Sequence, residues 1–237
     1  MVYKIQTMDR QKKLPRSKKV RRIEKFLEYC VGKDVLNVGM GGYIDDADQT
    51  EAWKNSGLEN TLHFRAVKVS NRVTGIDINQ HALDSMARIC PGEYICANVM
   101  EHTFGDKVSE KYDVILFGEV LEHLDSFSSA LTNLRHALKE DGIIVISTPN
   151  AFAIDRFFKM FFSYEAVHLE HTCYFSYLTL KRLMQMNKLG IQDFFYHQEH
   201  RKNYKNLMHR MSDTFLNVWS TIFPQFSEGL IITVRRA

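Results

Sequence analysis

Five short apolar runs constrain this chain more than any other feature: Asp34 to Gly39, Val73 to Ile78, Tyr94 to Val99, Asp113 to Phe117 and Ile143 to Ser147. Each is rich in Val and Ile and lacks a polar face, as a strand covered on both sides requires. Helical spacing fills the gaps. Gln80 to Ile89 carries Ala, Leu and Met at helical intervals, and Ser126 to Leu138 sets Phe127, Ala130, Leu131, Leu134 and Leu138 on one stripe, with Asp141-Gly142 as its stop. Strands alternating with helices predict right-handed βαβ units and an α/β fold with a doubly wound, mainly parallel sheet. Beyond residue 175 the rhythm changes. A helix is expected over Leu178 to Leu189, ending at Gly190. Strands at Ile191 to Tyr196 and Leu230 to Val234 then flank a basic, partly helical stretch from Arg201 to Phe223. Without a crossover helix, these last two strands are expected as an antiparallel C-terminal pair at the sheet edge.

With 237 residues, 45% hydrophobic and 25% charged, the chain can bury a core without staples. Cys30, Cys90, Cys96 and Cys173 form no CxxC pair, which argues against a zinc ribbon or disulfide scaffold and for a reduced, cytoplasmic protein. No apolar run reaches the roughly eighteen residues of a membrane span. The expected organisation is a basic N-terminal arm and helix over residues 1–33, the helix at about Lys18 to Tyr29, followed by one domain over 34–237. Substrate-side insertions fall near 151–175 and 198–226. Residues 1–25 hold ten Lys/Arg against Asp9 and Glu24, a charge of +8, so a net charge of +3 leaves −5 on the remainder. Such an arm suits nucleic acid, anionic lipid or an acidic substrate, or is a solvated helix face.

In an open α/β sheet, ligands bind beyond the carboxyl ends of the strands, where strand order reverses. The first run enters Gly39-Met40-Gly41-Gly42, and the second ends in Asp77, whose carboxylate can accept from both hydroxyls of a ribose. Glycine turn and acidic strand end together predict a nucleoside site. A dinucleotide is disfavoured, because Asp45 and Asp46 after Tyr43 and Ile44 would repel a diphosphate. Over roughly residues 20 to 195 the chain resembles the class I S-adenosylmethionine-dependent methyltransferases. The segments VLNVGMGG, VTGIDIN, CANVME, YDVILFGEVLEHL and DGIIVISTPN are similar to that family's five motifs. The resemblance implies a Rossmann-like methyltransferase sheet. It also implies S-adenosylmethionine as cofactor, with Gly39, Met40 and Gly41 backing its methionine part and Asp77 on the ribose. Ile78, Asn98 and Val99 would then lie around the adenine, with Glu119 contacting the cofactor. Asn37 stands where the family usually has an acid, and is expected to hydrogen-bond the turn. Tyr43 replaces a glycine of many members and would narrow the methionine pocket.

Gly118 to Leu124, after the fourth run, concentrates chemistry in Glu119, Glu122 and His123. His123 suits a general base, because an imidazole accepts a proton near neutrality. Glu165, His168, Glu170 and His171 form a second cluster, from which His171 would complete the catalytic pair. The spacing of Glu119, Glu122 and His123 also resembles a divalent-metal motif of ubiquinone-pathway O-methyltransferases and small-RNA terminal 2′-O-methyltransferases. That implies Glu119, Glu122, His123 and His171 as a candidate Mg²⁺ or Mn²⁺ set. Similar strings also occur in relatives with no known metal, where the glutamate contacts cofactor and the histidine begins a helix. Phe152 to Tyr164 holds Phe152, Phe157, Phe158, Phe161, Phe162 and Tyr164. It reads first as a core-packed helix, and otherwise as an apolar lid for a sugar ring, a lipid-linked intermediate or a quinone-like tail. The expected function is methyl transfer to an oxygen of a small molecule or saccharide, anionic and lipid-linked acceptors included. One alternative is a metal-assisted RNA ribose 2′-O-methyltransferase, using the arm with Arg201, Lys202, Lys205 and Arg210. Another is a non-catalytic binding module, motivated by Asn37 and Tyr43.

Overall fold

The computed structural model describes residues 13–41, 61–199 and 207–237. Tyr43, Asp45, Asp46, Arg201, Lys202, Lys205 and the first twelve residues of the arm lie outside them. In chain order the elements are β1 (Lys19–Val20), α1 (Arg22–Cys30), β2 (Asp34–Val38), α2 (Leu62–Val69), β3 (Arg72–Asp77) and α3 (Gln80–Ile89). They continue with β4 (Glu93–Cys96), α4 (Phe104–Lys107), β5 (Tyr112–Gly118), a 3₁₀ turn (Leu121–His123), α5 (Phe127–His136) and β6 (Leu138–Pro149). The last are α6 (Ile154–Met160), α7 (Tyr177–Met186), β7 (Leu189–His197), α8 (Leu207–Ile222) and β8 (Gly229–Arg236). The described strands form one sheet in the order β1-β7-β8-β6-β5-β2-β3-β4.

Strands β2 to β6 are parallel, and each central one is apolar on both faces. On β5, Val114 and Leu116 pack with Phe26, Cys30 and Val35 on one side. Ile115 and Phe117 pack with Leu36, Ile76 and Leu131 on the other. The two-residue side-chain period of a strand thus feeds two core layers, which explains why these runs show no polar face.

The C-terminal strands differ in detail from the expectation. β8 is inserted between β6 and β7, antiparallel to both, and the short β1 pairs parallel to β7 as the outermost strand. The antiparallel pair is therefore flanked on both sides. A start of α1 at Lys18 is likewise overruled, because Tyr196 donates its N–H to the Lys18 carbonyl and Lys19 and Val20 are drawn into the sheet. Strand β4 ends at Cys96, short of Val99, where the Asn98 side chain accepts the Met100 N–H at 3.0 Å and turns the chain.

Two helix ends also move. Leu138 opens β6 instead of closing α5, since Tyr112 N–H takes the Ala137 carbonyl at 2.9 Å and Leu138 pairs with Tyr112. Asp141-Gly142 then sits at a bulge inside β6. Helix α7 stops at Met186, and Lys188, at φ 57°, makes the reversal assigned to Gly190. Pairing of Leu189 with Arg236 fixes that position.

The aromatic segment does not pack in the core. Helix α6 has no buried residue, and Phe161 and Phe162 are 70% and 75% exposed. The core-helix reading fails because the sheet is covered by residues of α5 and α7, and Phe158, which meets Phe215 of α8, stays half-exposed. Among the described residues, no helix is long and apolar enough to cross a membrane.

Candidate functional site

Strand order reverses between β2 and β5, and their register sets Val38 beside Phe117 and Ile76. Gly39, Asp77 and Gly118 therefore leave the sheet at one level, and Asp77 pairs with Cys96 so that Asn98 follows nearby. A cleft of about 790 Å³ opens there, lined by Gly39, Met40, Gly41, Asp77, Ile78, Asn98, Val99, Glu119, Glu122, His123 and His171. Among the described residues, every one named above as a cofactor contact, catalytic residue or metal ligand borders this space.

The glycine turn is fixed by backbone geometry. Gly39 has φ 72°, and its N–H and that of Met40 both donate to the Ile76 carbonyl, at 2.8 and 3.2 Å. A Cβ on Gly39 would collide with Val120, and one on Gly41 would stand 2.8 Å from the Ala82 Cβ. The turn can press against its neighbours only because these side chains are missing. Gly41 N–H donates to Asp77 Oδ2 at 2.8 Å, and Asn79 N–H donates to Oδ1 at 3.0 Å. Each carboxylate oxygen keeps a second lone pair for a ligand hydroxyl. Ile78 is 71% exposed, an apolar side chain open for a flat ring to cover.

Asn37 does not serve the turn as expected. Its amide meets His63 Nδ1 at 3.2 Å, and His63 Nε2 meets the Tyr94 hydroxyl at 3.1 Å. Because that hydroxyl donates to the Cys90 carbonyl, it accepts from His63 Nε2–H, which leaves Nδ1 to accept from Asn37. Burial lowers the His63 pKa to about 4, so the ring is neutral. A neutral amide at position 37 matches a neutral imidazole; a carboxylate there would face an unprotonated nitrogen.

Glu119, at φ 56°, points across the sheet end toward His197, with Oε1 to Nε2 at 3.5 Å. Burial opposes its charge, but His197 and then Arg22 outweigh burial and hold the carboxyl below the usual range. Glu122 moves the other way. It is fully buried, and burial followed by the neighbouring Glu119 charge raises its pKa. Its Oε2 accepts from Thr148 Oγ1 at 3.0 Å, and its Oε1 has no hydrogen-bond partner.

The two histidine-bearing segments meet because Thr172 ties them together. Thr172 Oγ1 donates to the Glu122 and Leu124 carbonyls at 3.0 and 2.7 Å, and its N–H donates to the Glu122 carbonyl. His123 and His171 then lie edge to face, with centroids 4.6 Å apart and His168 beside both. Burial lowers the pKa of each ring, His123 being partly offset by Glu170 at 3.9 Å. Ligand atoms of Glu122, His123 and His171 lie within 4.8 Å of one another. Glu119 is outside that group, drawn off by His197, so the four-residue set contracts to three. Glu165 is exposed and does not join the cleft.

Arg22, His63 and Glu170 also line the cleft, and His197 supports it through Glu119. Sequence reasoning did not single out Arg22, His63 or His197. Arg22 was hidden within the arm, and the partner of His197 is set by β7-β8-β6 register across 78 positions, which leaves no local signal. Of the arm's described cations, Lys13, Arg16, Lys18 and Arg21 are exposed, and three are engaged. Lys19 Nζ donates to the Asn217 carbonyl and Ser220 Oγ, Lys25 pairs with Glu28, and Arg22 pairs with Glu199.

A family model for a methyltransferase domain matches residues 11–190. Among curated proteins, a ubiquinone biosynthesis O-methyltransferase of Glaesserella parasuis is 33% identical over 131 residues, 52% of this chain and 48% of that protein. One of Rickettsia bellii is 33% identical over 118 residues, 49% of this chain and 42% of that protein. The chain thus spans about half the length of the curated relatives it matches. A solved S-adenosylmethionine-dependent methyltransferase from Archaeoglobus fulgidus aligns with TM-score 0.52 at 17% identity, covering 90% of this chain and 91% of that one. Magnesium protoporphyrin IX methyltransferase from Synechocystis, solved with bound S-adenosylhomocysteine, aligns with TM-score 0.55 at 11% identity, covering 91% and 82%. With its glycine turn, acidic strand end and inserted antiparallel strand, the chain belongs to the methyltransferase domain family and has the class I S-adenosylmethionine-dependent methyltransferase fold.

Proposed function

We propose that this chain transfers a methyl group from S-adenosylmethionine to a hydroxyl oxygen of a small molecule. The observation that carries the reading is the shared cleft: a pinned Asp77 at one end and the His123–His171 pair at the other. The residues present fit the cofactor. Gly39 and Gly41 form a cradle that a Cβ would fill, Asp77 keeps acceptor capacity for a ribose, and Asn98 and Val99 flank the space an adenine would take. S-adenosylmethionine, when bound, supplies an electrophilic methyl on a sulfonium whose departure leaves a neutral thioether.

The protein's share is alignment and proton removal. A half-buried His123, its pKa lowered by burial, is placed to accept the acceptor's hydroxyl proton, while bound S-adenosylmethionine would supply the methyl electrophile. His171, edge-on to His123, holds that ring in place. A cleft of this volume suits a small acceptor. The curated relatives' names, both ubiquinone biosynthesis O-methyltransferases, favour oxygen as the acceptor atom. The retained glycine cradle and Asp77 geometry argue against a purely non-catalytic module.

A second reading concerns a divalent cation. Glu122 Oε1 and His171 Nδ1 are buried without hydrogen-bond partners, and with His123 they lie close enough to share one ion. Mg²⁺ or Mn²⁺ there would lower the acceptor hydroxyl's pKa, and its charge would oppose the burial that raises the pKa of Glu122.

The test is calorimetric titration with S-adenosylhomocysteine, followed by turnover on a panel of phenolic and sugar acceptors. Wild type is expected to bind; His123→Ala is expected to bind equally well and to lose about a hundredfold in kcat. No binding by wild type would overturn the reading.

A further inference from the structure

Glu119 adopts a backbone conformation uncommon for a glutamate, φ 56°, fixed by its N–H donating to the Ser147 carbonyl at 2.9 Å. Its side chain meets His197, whose Nε2 stands 3.5 Å from Oε1. His197 is 3% exposed, and neither its ring nitrogens nor Glu119 Oε1 closes a hydrogen bond elsewhere. Removing either group would strand the other as a buried polar atom. Room for the ring comes from Gly229, its partner across β7 and β8, where a Cβ would stand inside the imidazole. The glycine thus lets His197 lie across the sheet end toward Glu119. A carboxylate facing Nε2 keeps the ring proton on that nitrogen.

Strand order shows what this pairing is for. The sequence β5-β2-β3-β4 lays out the cleft in turn: Glu119 after β5, the Gly39 turn after β2, Asp77 at the end of β3 and Asn98 beyond β4. Neighbouring strands are about 4.8 Å apart, so Glu119 and Asp77 stand about 10 Å apart across the glycine turn. A nucleoside with its ribose on Asp77 and its base toward Asn98 sends its 5′ substituent the other way, over Gly39 and Met40, to Glu119. In S-adenosylmethionine that substituent ends in an α-ammonium and an α-carboxylate. Glu119 is 33% exposed at this end of the cleft. Although burial opposes its charge, His197 and then Arg22 keep the carboxyl ionised, which matches it to the ammonium.

We propose that His197 is a positioning residue: by holding the Glu119 carboxylate at the β5 end of the cleft, it sets that group to receive the α-ammonium of the cofactor. The inference rests on the cofactor site of the methyl-transfer reading. It adds to that site a residue of β7, outside every segment that resembles the family's motifs.

The test compares two amides at position 197 by calorimetric titration. His197→Gln places an N–H near the Nε2 position. His197→Asn, one methylene shorter, places its amide near Nδ1 and leaves the space before Glu119 empty. S-adenosylhomocysteine binding is expected to weaken about tenfold in His197→Asn and to stay within about threefold of wild type in His197→Gln. 5′-Methylthioadenosine, which carries the nucleoside and sulfur but no amino acid, should bind wild type and both variants within about twofold. Decarboxylated S-adenosylhomocysteine, which retains the amine, should lose as much as the parent. Glu119→Gln leaves His197 in place and should reproduce the selective loss, with the double variant no weaker than either alone. Parallel loss of 5′-methylthioadenosine would show that His197 only supports the fold, and unchanged S-adenosylhomocysteine binding in His197→Asn would show that it positions nothing. A decarboxylated analogue indifferent to the variants would give the role to the carboxylate. Each of these results overturns the proposal. Should Asn at 197 unfold the chain, Glu119→Gln decides, and the absence of a selective loss there overturns it as well. Wild type that binds neither ligand would instead overturn the cofactor reading beneath it.

Discussion

The neutral His63 makes a quantitative prediction about stability against pH. In the folded chain the ring is buried, bonded to Asn37 and Tyr94, and its pKa is lowered by burial to about 4 from 6.5. Between those values the unfolded chain binds a proton that the native ring refuses, so stability falls as pH falls. His63's contribution is intact above about pH 6.5 and is lost progressively toward pH 4. Linkage gives a loss of about 2 kcal/mol at pH 5 and about 3 kcal/mol at pH 4 relative to pH 7.5. The assay is urea unfolding of wild type and His63→Gln at pH 7.5 and 5.0. Glutamine does not titrate, so other ionisations cancel in the difference between the two proteins. Wild type is expected to lose about 2 kcal/mol relative to the variant across that interval, and the His63 imidazole should remain unprotonated at pH 5 by NMR. A difference constant within about 0.5 kcal/mol, or a ring that titrates near 6.5, would refute the reasoning. His63 also lines the cleft together with Met40, so S-adenosylhomocysteine affinity should decline over the same window.

Gly39→Ala combines a positive φ with a collision against Val120, and is expected to cost about 2 to 4 kcal/mol in urea unfolding and to weaken S-adenosylhomocysteine binding. Adding Val120→Ala should relieve the collision and restore part of both; no recovery would show that backbone conformation alone carries the cost. For the cation reading, calorimetric titration with Mn²⁺ alone is expected to show one site in wild type and none in Glu122→Ala, and turnover that survives exhaustive chelation would refute it.

The residues at the strand ends were legible because their signal is local. Gly39, Asp77 and Asn98 each follow an apolar run, and a parallel sheet must bring such ends to one edge. His123 and His171 were legible as two clusters, but their contact depends on Thr172, which bonds the Glu122 and Leu124 carbonyls from 50 and 48 positions away. Glu119 shows the limit most plainly. Its sequence position put it in the cleft, whereas its partner, His197, came from strand register, and that partner removed it from the metal set.

By itself, then, the sequence determined the doubly wound sheet and the glycine-to-aspartate cofactor edge, since side-chain period and backbone sterics act over a few residues. Only the tertiary structure decided where β8 enters, what Asn37 bonds, and which way α6 and α8 turn their faces. A helix's stripe is written in its sequence, but the side that faces inward is fixed by what lies beneath. Under α8 that is the ammonium of Lys19, which takes the polar stripe and leaves the apolar one outside.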